Sequence, residues 1–454
     1  MKNPSLLLLW LALVAPLAAA GCAGGGAGAP ARVAGRWEGA VEFRGARLPL
    51  AVNVVEGEGG LRADISSPDM FWHELPLREV THRPPRLRLE VPVSPLPLVL
   101  DGTVKGDTYA GRSREGELEI PFTLKRAAPA PAPPYGREEV RFGGGGVELA
   151  GTLLLPAGPG PHPAVVFLHG AGPHPRHDYF FYADLFARRG VAALVYDKRG
   201  VGDSTGDARA AGQSDLASDA LAAVRLLASR KEIDARRIGL WGQSLGGMVA
   251  PLAAARSAGA VAFLILVSPP GVTLGEAEAW DDEFDLRRRG YPEAVVERSN
   301  QLNAQLNRYY RTGEGREAVL EALARARREG WAAHTDLPEV VPHSRADSAF
   351  GGLDFDLDPA LVLEQLKVPV LVIFGERDDR IPAAESAARI EEALRRGGNP
   401  DYAVKTFPGA DHVIKLPAGP RADTGGRWDW PRPAPGYLDT MLDWTLRQVR
   451  AGRG

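Results

Sequence analysis

From about residue 137 onward, the chain alternates strand-length apolar runs with helix-like stretches. Ala164-Val-Val-Phe-Leu168, Val191-Ala-Ala-Leu-Val-Tyr196, Arg237-Ile-Gly-Leu-Trp241, Val261-Ala-Phe-Leu-Ile-Leu-Val267, Val370-Leu-Val-Ile-Phe374 and Tyr402-Ala-Val-Lys-Thr-Phe407 are the runs. Helical patterns at Phe181–Arg189 and Asp215–Ser229 lie between them. A strand that alternates apolar and polar residues buries one face; a near-continuous apolar strand is buried on both. This rhythm therefore predicts an α/β domain, a mostly parallel sheet flanked by helices. In such sheets ligands gather at the carboxyl ends of the strands, so chemistry is expected in the loops that follow these runs. One segment breaks the rhythm. Residues 272–362 are rich in Glu, Arg, Ala and Leu, with Tyr309, Tyr310 and Trp331 interspersed. They are too many for a simple crossover between the runs Val261–Val267 and Val370–Phe374. They predict a helical insertion beside the strand ends, a candidate lid, against the alternative of a solvated outgrowth.

The length of 454 residues leaves room for more than this domain. A Pro/Ala-rich run, assigned to a linker over 127–136, separates it from residues 33–126. There Leu48–Val55, Leu87–Val93 and Leu118–Leu124 alternate apolar and polar residues between Gly, Asp and Pro. A small all-β domain, an antiparallel sandwich or barrel, is expected. His73 and His82 are read as structural or surface residues. At the start, Lys2, the apolar stretch Leu6–Leu17 and the small residues before Cys22 read as a signal peptide over 1–22. Ala19-Ala-Gly-Cys22 is close to a lipobox, with Ala19 where Leu is usual. Cys22 is then the lipidation site, residues 23–32 a flexible tether, and the protein exported, as a cell-envelope lipoprotein or periplasmic or extracellular. Cys22 is the single cysteine, which excludes an internal disulfide framework. A net charge of −3 gives no pull toward nucleic acid.

Gly-x-Ser-x-Gly occurs twice, at Ser244 and at Ser204. An attacking serine needs a strained strand-to-helix turn that exposes its hydroxyl and aims the next helix N-terminus at the reacting centre. Ile238-Gly-Leu-Trp241 leads into Ser244, and Met248–Ala255 continues as a helix; the flanks of Ser204 read as loop. Ser244 is therefore the expected nucleophile. Serine needs a base, and the base an orienting carboxylate; where the serine stands on such a strand-to-helix turn of a parallel sheet, the chain order is Ser, acid, His. The acid is expected after Phe374, where Asp378 and Asp379 stand side by side. The base is expected after Phe407, where His412 is found. Oxyanion donors are expected at the Leu245 N–H and in the loop His169-Gly-Ala-Gly172, at Ala171 with Gly172 as alternative. His169, His174, His177 and Asp178 form a rival metal-type cluster, but His169-Gly170 at this strand end already has a role beside the oxyanion donors.

These pieces, together with Asp197-Lys-Arg-Gly-Val-Gly-Asp-Ser-Thr-Gly206 and Gly375-Glu-Arg-Asp378, resemble the α/β-hydrolase superfamily over about 137–449. The nearest groups are bacterial esterases and the serine aminopeptidase-like and dienelactone-hydrolase-like enzymes. The resemblance implies an α/β-hydrolase fold and selects Asp378 over Asp379. It implies a serine hydrolase acting on carboxylic esters through an acyl-enzyme, with no metal or cofactor. Dienelactone hydrolases proper use cysteine, and this region has none. Gly35-Arg-Trp-Glu-Gly39 and Tyr109-Ala-Gly-Arg112 resemble lipocalin-like accessory domains. The expected partner is a small-molecule ester or a short peptide. A peptidase or amidase is the first alternative. It needs acidic groups near Ser244, and Glu276, Glu278, Asp281, Asp282 and Glu283 are candidates, although a solvated charged helix is the expected role of that stretch. A binding protein on the same fold is the second.

Overall fold

The structure is a computed structural model and describes residues 32–93, 97–144, 146–343 and 351–451. The expected leader with Cys22, and the tether as far as residue 31, lie outside the described residues.

Strands β1 (Gly35–Phe43), β2 (Ala46–Gly57), β3 (Gly60–Ser67), β4 (Trp72–Pro76), β5 (Glu79–Arg83), β6 (Arg86–Val91), β7 (Leu98–Lys105), β8 (Thr108–Glu115) and β9 (Leu118–Ala127) form one antiparallel sheet. Its order is β4-β3-β2-β1-β9-β8-β7-β6-β5. Alternation decides which face is buried. In β2, Leu48, Leu50, Val52 and Val54 point inward while Arg47 and Pro49 face water. The inward residues of all these strands share one core around Trp37, Tyr109 and Phe122. The Tyr109 and Phe122 rings lie 4.8 Å apart, edge to face. Full burial of a side chain such as Phe122 contributes about 1.5–3 kcal/mol. Of the expected sandwich or barrel, the structure has the open form of the second, a single sheet wrapped round one core. Among the described residues no ladder closes β4 onto β5.

The second sheet holds β10 (Tyr135–Gly144), β11 (Val147–Pro156), β12 (His162–Leu168), β13 (Ala192–Tyr196), β14 (Ile233–Gln243), β15 (Phe263–Val267), β16 (Val370–Gly375) and β17 (Tyr402–Phe407), in the order β10-β11-β13-β12-β14-β15-β16-β17. Strand β11 runs antiparallel to both neighbours, and from β13 to β17 every pairing is parallel. The hairpin β10–β11 is absent from the sequence reading. The linker is also shorter than expected: Ala127 still pairs with Arg36, and Tyr135 already pairs with Pro156. Helices α1 (Phe180–Ala187), α2 (Gln213–Ala228) and α3 (Leu245–Arg256) follow β12, β13 and β14. Residues of α2 and α3 such as Ala220, Val224 and Val249 pack on one face of the sheet, and Phe186 of α1 on the other.

The long segment between β15 and β16 carries α4 (Leu274–Arg288), α5 (Glu293–Thr312) and α6 (Arg316–Arg328). Thr273 caps α4, accepting from the Glu276 N–H while the Glu276 carboxylate accepts from the Thr273 N–H at 2.8 Å. In α5, Val295, Val296, Leu302, Leu306 and Tyr309 recur at helical spacing and meet Leu286, Leu323 and Trp331 in a small core of their own. The chain returns through α7 (Pro359–Leu363) to β16; α8 (Ala383–Arg396) follows β16, and α9 (Tyr437–Ala451) ends the described chain. Ile390 of α8 joins the α2–α3 face, and Met441 and Trp444 of α9 join Phe186 on the other.

Candidate active site

Strand β14 delivers Ser244 to a turn with φ 53° and ψ −121°, and α3 begins at the next residue. A non-glycine residue at positive φ is strained by about 1–3 kcal/mol and persists only where its surroundings enforce it. Here they do. The Ser244 N–H donates to the Val267 carbonyl of the neighbouring strand at 2.9 Å, and its carbonyl accepts from Gly247 N–H at 2.7 Å. The flanking glycines permit this close approach. A Cβ on Gly242 would stand 2.2 Å from the Gly246 carbonyl oxygen, and one on Gly246 would stand 2.6 Å from that of Leu168. Ser204, the rival copy, is buried with its hydroxyl engaged twice. It donates to the Asp197 carbonyl at 2.7 Å and accepts from Ala150 N–H at 2.9 Å.

Asp378 follows β16 and His412 follows β17. The His412 Nδ1 lies 2.8 and 2.9 Å from the two Asp378 oxygens. A carboxylate only accepts, so Nδ1 carries the proton, and in the neutral ring Nε2 is then the nitrogen with the free lone pair. Asp378 Oδ1 also accepts from the Arg380 and Ile381 N–H groups, which fixes the carboxylate in place. Asp379, the alternative, is exposed.

Ser244, Leu245, Ala171 and His412 line one cavity of about 710 Å³. Leu245 is the first residue of α3, so its N–H has no partner inside its own helix. The Ala171 loop is braced from below. Lys198, buried, donates from Nζ to the carbonyls of Gly170 at 2.8 Å and Gly172 at 3.0 Å. Burial pushes its pKa down to about 8, which leaves it mainly a cation at neutral pH. The Gly170 carbonyl belongs to the same peptide unit as the Ala171 N–H, so the ammonium orients and polarises that donor. His174 Nε2 donates to the Ala171 carbonyl at 2.6 Å. His169 Nε2 donates to the Tyr196 carbonyl at 2.6 Å, and burial drives its pKa down to about 3, so the ring is neutral. The sequence reading passed over Lys198.

The far wall of the cavity comes from the insertion. Glu278 and Asp281 of α4, Asn303 of α5, and Asp336 face the cavity together with apolar residues such as Leu306 and Phe355. This corrects the expectation of a solvated charged helix, in part. Glu276 and Glu283 do pair outward, with Arg389 and Arg287. Asp282 is buried and accepts from Asn303 Nδ2 and from the Asp336 N–H, both at 2.8 Å. Glu278 opens onto the cavity, and the protein mass around it raises its carboxyl well above the ordinary range, with Asp282 and Asp336 adding repulsion. Burial raises Asp281 likewise, against the opposing charge of Arg380. Arg380, two residues after Asp378, pairs with Asp281 at 2.9 Å and Asp336 at 3.0 Å. Its guanidinium ties the insertion to the loop that holds Asp378.

A sheet with one antiparallel strand at its second position, a strained serine between β14 and α3, and an Asp–His pair after β16 and β17 define an α/β-hydrolase. The family model described as serine aminopeptidase, S33, matches residues 159–416, and the chain belongs to that family. It is similar to esterase EstD of Thermotoga maritima, with 26% identity over 277 residues, 59% of this chain and 58% of that protein. It is also similar to 2,6-dihydropseudooxynicotine hydrolase of Paenarthrobacter nicotinovorans, with 34% identity over 144 residues, 32% of this chain and 38% of that one. The chain thus spans little more than half the length of the first relative and less than half of the second. Among solved structures, the α/β hydrolase GrgF from a Penicillium species matches with a TM-score of 0.45 and 19% identity, covering 70% of this chain and 99% of that one.

Proposed function

We propose that the protein is a serine hydrolase that cleaves carboxylic esters through an acyl-enzyme, with Ser244 as nucleophile, His412 as base and Asp378 as the orienting acid. One observation carries the reading: His412 is hydrogen-bonded through Nδ1 to Asp378, and its ring lines the same cavity as the strained Ser244. In the forward step, His412 Nε2 takes the Ser244 Oγ proton as Oγ attacks the ester carbonyl carbon. The Leu245 and Ala171 N–H groups hold the resulting oxyanion. Collapse expels the alcohol, which takes the proton back from His412. Water, deprotonated by the same nitrogen, then attacks the acyl-enzyme and releases the acid. Residues 272–362 are proposed as a lid over this cavity and 33–126 as an accessory domain. The leader-like residues 1–22 support export, and Cys22 supports membrane anchoring. Fluorophosphonate labelling, run beside a panel of chromogenic acyl esters and aminoacyl amides, tests the reaction class. An unlabelled protein that turns over no ester sinks it.

Lys198→Met is expected to lower kcat on a good ester about 10- to 100-fold, less than loss of an oxyanion donor itself, with KM little changed. Steady-state kinetics on one ester decides this; a kcat at the wild-type value removes Lys198 from the account.

A second reading, an aminopeptidase or amidase, is favoured by Glu278 and Asp281 facing the cavity. An acyl group that bears an ammonium would find its counter-charge there. Glu278→Gln is then expected to raise KM for aminoacyl esters and amides about tenfold, the value of one charge-assisted hydrogen bond. KM for neutral acyl esters should stay within about twofold. Because the Glu278 carboxyl is held above its ordinary range, KM for the aminoacyl substrates should fall as pH rises and ionises it, up to the pH at which the substrate amine loses its proton. Equal effects on both substrate classes would remove this second reading.

A further inference from the structure

The N-terminal sheet touches the loop that bears His412 through one turn. After β3 the chain makes a short helical turn, Pro68–Met70, and Phe71 then adopts left-handed backbone at φ 59°. The Phe71 side chain leaves its own sheet and is buried in the core of the other. Its ring lies 5.1 Å from Phe181, 5.3 Å from Tyr182 and 6.2 Å from Tyr437.

Lys415, three residues after His412, meets this turn. It is buried, its Nζ donates to the Met70 carbonyl at 2.9 Å, and the ammonium stands 4.5 Å from the centre of the Phe71 ring. The backbone of Lys415 closes the His412 loop on itself. Its N–H donates to Asp411 Oδ1 and its carbonyl accepts from Asp411 N–H, each at 2.8 Å. Ile414, inside that loop, is held at φ 61°. Strained non-glycine backbone therefore stands on both sides of the contact, and such strain persists only where the surroundings over-determine it. A buried ammonium loses its hydration, and an apolar residue of like volume would fill the space at lower cost. Lys415 brings what an apolar residue lacks, a directional bond from the histidine loop to the first sheet.

We infer that the N-terminal sheet is a working part of the catalytic unit: the Met70 carbonyl and the Phe71 ring hold Lys415, and through it hold the Asp411–Lys415 loop so that His412 faces Ser244. Lys415 is a positioning residue, and the inference rests on the reading of His412 as the base. Catalytic alignment is steep in distance. A misplacement of about 1 Å reduces rate by about 10²-fold, whereas substrate affinity, set by the cavity walls, is left alone.

The test uses the full-length chain with Lys415→Met, Lys415→Arg and Phe71→Leu, assayed on a small chromogenic ester across pH, beside the rate of fluorophosphonate labelling and the thermal midpoint. Lys415→Met and Phe71→Leu are each expected to lower kcat about 10- to 100-fold per folded molecule. KM should change less than about twofold, and the labelling rate should fall in step with kcat. Lys415→Arg, which keeps a donor and a cation, is expected to restore most of kcat. The acid limb of the kcat profile should shift in Lys415→Met, because His412 loses its fixed relation to Asp378. Phe71→Leu keeps an apolar side chain and carries the test if Lys415→Met does not fold. Variants with kcat within about twofold of wild type, whatever their thermal midpoint, would overturn the inference. Ser244→Ala in the same series separates the two ideas. Labelling that persists there brings down the Ser244–His412 reading, whereas an inert Ser244→Ala beside fully active Lys415→Met and Phe71→Leu brings down the coupling alone.

Discussion

Ser244→Ala is expected to lower ester turnover by about 10⁴-fold or more and to abolish fluorophosphonate labelling. The thermal midpoint should move by no more than about 1 °C, the shift that about 1 kcal/mol gives a chain of this size. The hydroxyl is the only group removed. The strained backbone, the bond to Val267 and the close approach of Gly246 to Leu168 all stay. Ser204→Ala is expected to do the reverse. It leaves the Ala150 N–H without its buried acceptor, which destabilises the fold by about 1–3 kcal/mol. The rate per folded molecule should stay at the wild-type value. Parallel melting curves and kinetics on the two variants check this, and labelling that survives in Ser244→Ala would refute the nucleophile assignment.

The second large effect is expected at the acid. Asp378→Asn should reduce kcat by about 10⁴-fold, since an amide opposite Nδ1 favours the tautomer that leaves Nε2 protonated and unable to act as base. Part of the amide's acceptor capacity still meets the Arg380 and Ile381 N–H groups, so the loop should keep its shape. Asp379→Asn should remain within about twofold of wild type, because Asp379 is exposed and Asp378 is the residue against His412. Kinetics on the pair decides the matter: a large loss at Asp379 with little at Asp378 would reverse the assignment.

The strands β12 to β16 could be read from the chain because burial on both faces writes itself as continuous apolar runs. The hairpin β10–β11 could not. Tyr135–Gly144 is an edge strand with Arg137, Glu138, Glu139 and Arg141 facing water, and it follows directly on the Pro/Ala run, so it carries the signal of a linker. Ser244 stood out from Ser204 because a strand before and a helix after are local features. Asp378 and Asp379 are neighbours with the same chemistry. In the sequence only the resemblance to the family chose Asp378; in the structure the approach of His412, 34 residues away, tells them apart. Glu278, Asp281 and Asp282 share a face of α4 by their spacing. Whether that face meets solvent or the cavity depends on how the insertion docks, which no local pattern encodes. Lys198 was hidden for the same reason. Its acceptors, Gly170 and Gly172, lie 28 and 26 residues back along the chain.

The insertion between β15 and β16 has a consequence of another kind. Ser244, Asp378 and His412 stand on loops of the sheet, whereas Glu278, Asp281 and Asn303 stand on helices that pack round a core of their own. The two layers meet across one cavity, and the Arg380 ion pairs are among the ties between them. The chain is in effect modular. Under the proposed function, the bond-breaking groups and the surface that chooses among substrates occupy separate stretches of sequence, so one stretch can drift, lengthen or be exchanged while the other stays intact.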